Sequence, residues 1–205
     1  NYHLILLSKN ATGYQNLIKM VTLASSEGFY GKPRVDHELL SKYHDGLVCL
    51  SACLAGEIPQ ALLNDDIEKA EETAMFYKTL FGEDFYIELQ DHGIEEQRRI
   101  LPALIRLAKK LNIELVATND CHYIEKSDSK MQHAMVCVQT NKHMDDPNPL
   151  EFETEEFYVK STDEMYDLFA YIPAACANTV KVAEKCNFDY EFGKTKLPKY
   201  ENPMG

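Results

Sequence analysis

Asp120 and His122 close the apolar run Val116-Ala117-Thr118-Asn119, and a carboxylate and an imidazole two residues apart could share one metal ion. In extended backbone, positions i and i+2 point to the same side, so both side chains are expected to aim from the end of a strand at one point. Mg²⁺ and Ca²⁺ prefer oxygen donors, whereas Zn²⁺ and Mn²⁺ accept this mixture, so a first-row metal is the better match. The triplet alone also suits a plainer role, an Asp capping the next turn beside a His satisfied by a backbone carbonyl. Two further donors stand beside strand-like runs: His3 in the first and Cys53 just past the second. An α/β layout could gather His3, Cys53, Asp120 and His122 at one rim, giving a thiolate, two imidazoles and a carboxylate that Zn²⁺ would accept. Taken singly, His3 reads equally as a structural or exposed histidine and Cys53 as a buried thiol. His92 beside Asp91 offers another carboxylate and imidazole, but its place before Gly93 fits a turn or a helix cap. His37, His44, His133 and His143 have no functional spacing.

The elements that must position these residues alternate along the chain. Strands are expected over 2–8, 46–51, 85–89 and 114–119, and helices over 12–27, 36–43, 57–63, 66–81 and 95–111. Asp65 or Asp66 is placed to cap the fourth helix and Gly82 to end it. Ile100, Leu104, Leu107 and Ala108 share one face of the fifth. The run Gly46-Leu47-Val48-Cys49-Leu50-Ser51 is apolar throughout, as in a parallel sheet buried on both faces. Four parallel strands in one sheet with helices outside describe part of a barrel or of an open α/β sheet. Four strands cannot close a barrel, so the remaining strands are expected from chain upstream of Asn1. After Tyr123 the rhythm changes. A helix over 127–140, a polar loop through Asp145-Asp146-Pro147-Asn148-Pro149, a short strand over 157–160 and helices over 162–169 and 173–186 are expected, the last with Pro173 in its first turn. The tail over 192–205, rich in Gly, Pro and Lys, reads as a linker.

Composition narrows the classes. A chain of 205 residues with 45% hydrophobic content can bury a substantial core. No apolar run approaches the roughly 20 residues of a membrane span, and the start lacks the regions of a signal peptide, so no membrane partner is expected. Six cysteines without a C-x-x-C pair point to a reducing cytoplasm. A formal net charge of −12 argues against a surface that grips DNA by neutralising phosphates. It suits a metal pocket, a face for basic partners, or simply a solvated acidic surface.

Several longer motifs occur in order: Asn1-Tyr2-His3-Leu4-Ile5-Leu6-Leu7, Asn10-Ala11-Thr12-Gly13-Tyr14-Gln15-Asn16-Leu17, Gly28-Phe29-Tyr30, Leu50-Ser51-Ala52-Cys53-Leu54-Ala55-Gly56-Glu57, Glu88-Leu89-Gln90-Asp91-His92-Gly93 and Ala117-Thr118-Asn119-Asp120-Cys121-His122-Tyr123. Together they resemble the PHP (polymerase and histidinol phosphatase) domain of bacterial DNA polymerase III alpha subunits of the DnaE type. Phe169-Ala170-Tyr171-Ile172-Pro173 and Leu197-Pro198-Lys199-Tyr200 resemble the stretch leading from that domain towards the palm.

The resemblance implies an α/β fold, a partial (β/α)7 PHP-type barrel with a C-terminal helical extension. The C-terminal part of the barrel would occupy 1–125, the helical extension 126–190 and a linker to the palm 191–205. It implies His3, Cys53, Asp120 and His122 as ligands of Zn²⁺ or Mn²⁺, in a site completed by family motifs upstream of Asn1, with Cys121 pointing away. It also implies a cytoplasmic replicative DNA polymerase as parent, with palm carboxylates holding Mg²⁺ beyond Gly205. Expected partners are DNA, reached through the full-length parent, a proofreading exonuclease subunit and other polymerase III holoenzyme subunits. Within that parent the module would be either a metal-dependent 3′→5′ exonuclease or a non-catalytic scaffold docking the proofreading subunit.

Overall fold

A computed structural model describes residues 1–146, 152, 154–195 and 197. Four strands, β1 (Ile5–Ser8), β2 (Leu47–Leu50), β3 (Phe85–Leu89) and β4 (Glu114–Ala117), form one sheet in that order. Helices α1 (Ala11–Ser26), α2 (His37–Tyr43), α3 (Glu57–Leu63), α4 (Ile67–Phe81) and α5 (Glu95–Leu111) fill the connections. After β4 come α6 (Ser129–Thr140), α7 (Thr162–Leu168) and α8 (Pro173–Lys185). The chain is thus α/β.

Local chemistry sets the boundaries. Asn10, Asp36 and Asp66 each accept a hydrogen bond from a backbone N–H three residues on, capping α1, α2 and α4. Ser161 and Glu164 form a reciprocal capping box on α7, and Pro173 opens α8 where a missing N–H costs nothing. Asn112 and Asn141 end α5 and α6 in the left-handed conformation. Gly13 is required where α1 starts, because a Cβ there would lie 1.9 Å from the Gly46 carbonyl oxygen.

The strand pleat divides the core. Phe85, Ile87 and Leu89 face Leu104 of α5, Ala74 and Tyr77 of α4, and Ile58 of α3 in the larger apolar cluster. Tyr86 faces the other way, with Val48, Leu50, Val116 and Val182 of α8. Continuous burial along β2 and β3 explains why their sequences show no polar alternation. α8 protects the outer edge of β4, where Asn178 Nδ2 donates to the Leu115 carbonyl at 2.7 Å.

One expectation is overturned. β2, β3 and β4 are mutually parallel, but β1 is antiparallel to β2, pairing Ile5 with Leu50 and Ser8 with Leu47. The reason is the connection. α1 and α2 return the chain to the end of the sheet where β1 finished, so that Lys9 N–H donates to the Gly46 carbonyl at 2.9 Å, whereas α3 with α4, and α5 alone, carry it to the opposite end before the next parallel strand. The expected strand over 157–160 is likewise reduced to one bridge, Tyr123 with Tyr158. Its hydrogen bonds go to the loop after β4, with Val159 N–H donating to Ile124 O at 3.1 Å, rather than to a sheet strand. Of the polar loop expected over 145–149, residues 147–149 lie outside the described residues, as does most of the tail from 196 onward.

Candidate metal centre

All four predicted donors lie at the end of the sheet where β2, β3 and β4 terminate. Cys53 follows β2, and Asp120 and His122 follow β4. His3 precedes β1, so it reaches this end only because β1 runs against the others; a parallel β1 would have carried it to the opposite rim. Beyond β2 the chain turns sharply at Ala52, whose φ is +64°, and Gly56 N–H donates to Cys53 O at 2.8 Å. Residues 55 and 56 then run beside the extension of β1, with His3 N–H donating to Ala55 O at 2.9 Å and His3 bridging Gly56. This pairing sets His3 Nδ1 3.5 Å from Cys53 Sγ.

Asp120 and His122 also meet, at 3.6 Å between Oδ1 and Nε2, but not by the expected route. The β4 ladder stops at Ala117, and Asp120 takes φ +38°, so the triplet is a kink rather than extended strand. His122 is fixed by tertiary contacts: its N–H donates to Phe157 O at 2.8 Å, and its ring lies against Phe152 and Phe157, with centroids at 4.6 and 5.6 Å. The two pairs are almost equally close, at 3.5 and 3.6 Å. Cys121 turns its thiol to Tyr158 O at 3.7 Å.

Beneath the rim lies a polar network that the motif analysis missed. Glu88, only 5% exposed, accepts hydrogen bonds at Oε1 from Gln90 Nε2 at 2.9 Å and from the Thr118 hydroxyl. Its backbone N–H donates to Ser51 Oγ at 2.9 Å. Residues 51, 88 and 118 are thereby joined two positions before Cys53 and two before Asp120. The sequence did carry a signal, a carboxylate inside the apolar run Phe85-Tyr86-Ile87-Glu88-Leu89. Glu88 Oε2 and Gln90 Oε1 are buried without a partner among the described residues. Burial pushes the Glu88 carboxyl up, against its hydrogen bonds from Thr118, Gln90 and the Ala52 backbone, and nearby Asp120 adds to the rise. Burial likewise raises the Cys53 thiol; backbone hydrogen bonds oppose this, and the charges of Asp120 and Glu88 add to it. Cys53 therefore lies within the field of Asp120.

The spacing of each pair fits a shared ion. Two donors at about 2.0–2.3 Å from a tetrahedral metal stand about 3.5 Å apart, matching 3.5 Å for His3 with Cys53 and 3.6 Å for Asp120 with His122. Each pair is half a shell. Among the described residues, no three His, Cys, Asp or Glu side chains converge tightly enough to hold one ion.

Residues 1–92 match the sequence model of the PHP domain family. Over nearly its whole length the chain is similar to DNA polymerase III alpha subunits. It is 48% identical to that of Treponema pallidum over 203 residues, covering 98% of this chain and 17% of the relative. It is 44% identical to that of Borreliella burgdorferi, covering 100% and 18%, and 39% identical to that of Thermus aquaticus, covering 100% and 17%. The chain belongs to the PHP domains of bacterial DNA polymerase III alpha subunits. It spans about one sixth of the length of these relatives. Among the described residues, no helix is long and apolar enough to cross a membrane.

Proposed function

We propose that the chain is part of the PHP module of a DNA-directed DNA polymerase acting in bacterial chromosome replication in the cytoplasm. Within it, His3, Cys53, Asp120 and His122 contribute donors to a metal centre with a 3′→5′ exonuclease role. The observation that carries the metal reading is the pair of donor couples at one sheet end, each with the separation of ligands on a common ion. His3 would offer Nδ1, Cys53 Sγ, Asp120 Oδ1 and His122 Nε2 to Zn²⁺ or Mn²⁺. Such ions, when bound, acidify water and hold the attacking and leaving oxygens of a phosphodiester in line. The chain's own residues shape the seat: the network of Ser51, Glu88, Gln90 and Thr118 ties the Cys53 and Asp120 loops together, while Phe157 anchors His122. In this reading the sheet is part of a (β/α)7 barrel. DNA is gripped by other parts of the protein, since a net charge of −12 opposes phosphate binding here. Polymerisation uses Mg²⁺ held elsewhere in the protein.

A second reading is favoured by the lack of a three-donor cluster among the described residues. In it the module stabilises the polymerase and docks a separate proofreading subunit. One experiment separates the two. The full-length protein and its Asp120→Asn variant are compared for Zn²⁺ and Mn²⁺ content and for release of 3′ nucleotides from a mismatched primer. Metal in the wild type, with loss of both metal and nucleotide release in the variant, supports the exonuclease. Metal-independent behaviour with unchanged subunit binding supports the scaffold.

A further inference from the structure

We infer that His92 is a positioning residue for the Asp120–His122 triplet, a buried imidazole that latches the triplet on both sides; the inference rests on the metal-centre reading above. His92 is fully buried, at 0% exposure, and both ring nitrogens are engaged. Nε2 lies 2.7 Å from the Asn119 carbonyl oxygen, which can only accept, so Nε2 carries the proton and donates. Nδ1 is then the acceptor and takes a hydrogen bond from Gln97 Nε2 at 2.9 Å. The other end of the same amide, Gln97 Oε1, accepts from the His92 backbone N–H at 2.8 Å. With both amide ends committed, Gln97 in the first turn of α5 fixes the tautomer, with the donor on Nε2 and the acceptor on Nδ1.

That geometry grips the triplet before and after. Asn119 immediately precedes Asp120. The His92 ring also stacks on Phe157, with centroids 4.2 Å apart and planes 8° apart, and the Phe157 carbonyl is the acceptor for His122 N–H. Thr154 Oγ donates to His92 O at 2.6 Å, tying down the segment that carries Phe157. Asp120 lies between the two grips at φ +38°, a conformation that non-glycine residues rarely hold without support. His92 reaches no donor atom of the triplet, so it acts through position alone, as partners behind metal ligands do.

The test separates position from packing. In the full-length protein, His92→Phe keeps the ring stack on Phe157 but removes the donor to Asn119, whereas His92→Gln places an amide N–H close to where Nε2 was and gives up the stack. We expect His92→Phe to fold, to bind Zn²⁺ about 10–100-fold more weakly in competition with a chelator, and to expose the His122 amide to faster hydrogen exchange. His92→Gln should recover most of both. Imidazole ¹⁵N shifts of the wild type should report the Nε2-protonated form, a readout that needs neither variant to fold. A packing histidine predicts the reverse order, with Phe at least as good as Gln. That order, unchanged His122 exchange in His92→Phe, or the Nδ1-protonated form in the wild type would overturn the proposal. If the wild type takes up neither Zn²⁺ nor Mn²⁺, the metal reading fails, while exchange at His122 and the tautomer still decide the latch.

Discussion

His3 Nδ1 stands 3.5 Å from Cys53 Sγ because β1 runs antiparallel to β2 and its extension pairs with Ala55 and Gly56. The contact is a product of topology: neither residue is near the other in sequence, and reversing one strand would separate them by the length of the sheet.

If these two residues share an ion, their effects on its binding should not add. His3→Ala and Cys53→Ser are each expected to weaken Zn²⁺ binding to the full-length protein by more than the about 10–100-fold typical of an outer partner. The double variant should be little worse than either single one, the mark of donors acting as one unit. Chelator competition measures this, and additive losses would place the two residues in separate environments.

Glu88 gives a pH signature. A carboxyl raised by burial binds its proton more tightly folded than unfolded, so its contribution to stability is most favourable at or below the usual carboxylate range. It declines as pH rises from near 4.5 through the raised value, because there the native state holds more protons. Glu88→Gln removes that slope. In metal-free protein, the melting temperature of wild type minus variant should fall with rising pH over this window, and a constant difference would show that Glu88 ionises in the fold as freely as in water.

The periodic parts of this architecture were legible in the sequence. Helices α3 and α5 span the residues expected of them, 57–63 and 95–111, and Phe85–Leu89 is a strand as its composition demands. Strand direction was not legible, because it depends on the end of the sheet to which the connecting helices return the chain and not on the residues of β1. Asp120 and His122 were singled out for a sound chemical reason and a wrong geometric one. Period two brings such residues together only in extended backbone, while here Asp120 is left-handed and Phe157, far along the chain, fixes His122. The buried roles of Glu88 and His92 depend on hydrogen bonds to Thr118 and Asn119, partners that no local pattern reveals.

The seal on β4 should be measurable. Asn178 is buried, and its amide serves the Leu115 carbonyl at the sheet edge. Asn178→Ala leaves that acceptor beneath α8 without its donor, and we expect a loss of about 1–3 kcal/mol in urea unfolding with an unchanged m-value. A loss within error would mean that water replaces the amide without cost.

β1 is the opposite edge, and among the described residues no strand pairs with its outer side. In an antiparallel pair every second residue turns its N–H and C=O away from the partner, so β1 offers unpaired groups to any strand that approaches. Apolar side chains accompany them: Tyr2 and Ile5 are exposed, and the adjoining cavity of about 1230 Å³ is lined by Leu4, Leu6, Leu23, Val35 and Tyr43 among others. The 205-residue chain expressed by itself should therefore self-associate through this edge. A lysine there interrupts such pairing at little cost to the fold, because Ile5 is 38% exposed and its loss opens no cavity. Sedimentation velocity should show a coefficient that rises with concentration for the wild-type chain and stays at the monomer value for Ile5→Lys, with melting temperatures that differ little. Outward-facing amides of β1 should exchange more slowly as the wild type associates. A wild-type chain that remains a cooperatively unfolding monomer across the range would show that the side chains around this cavity already shield the edge.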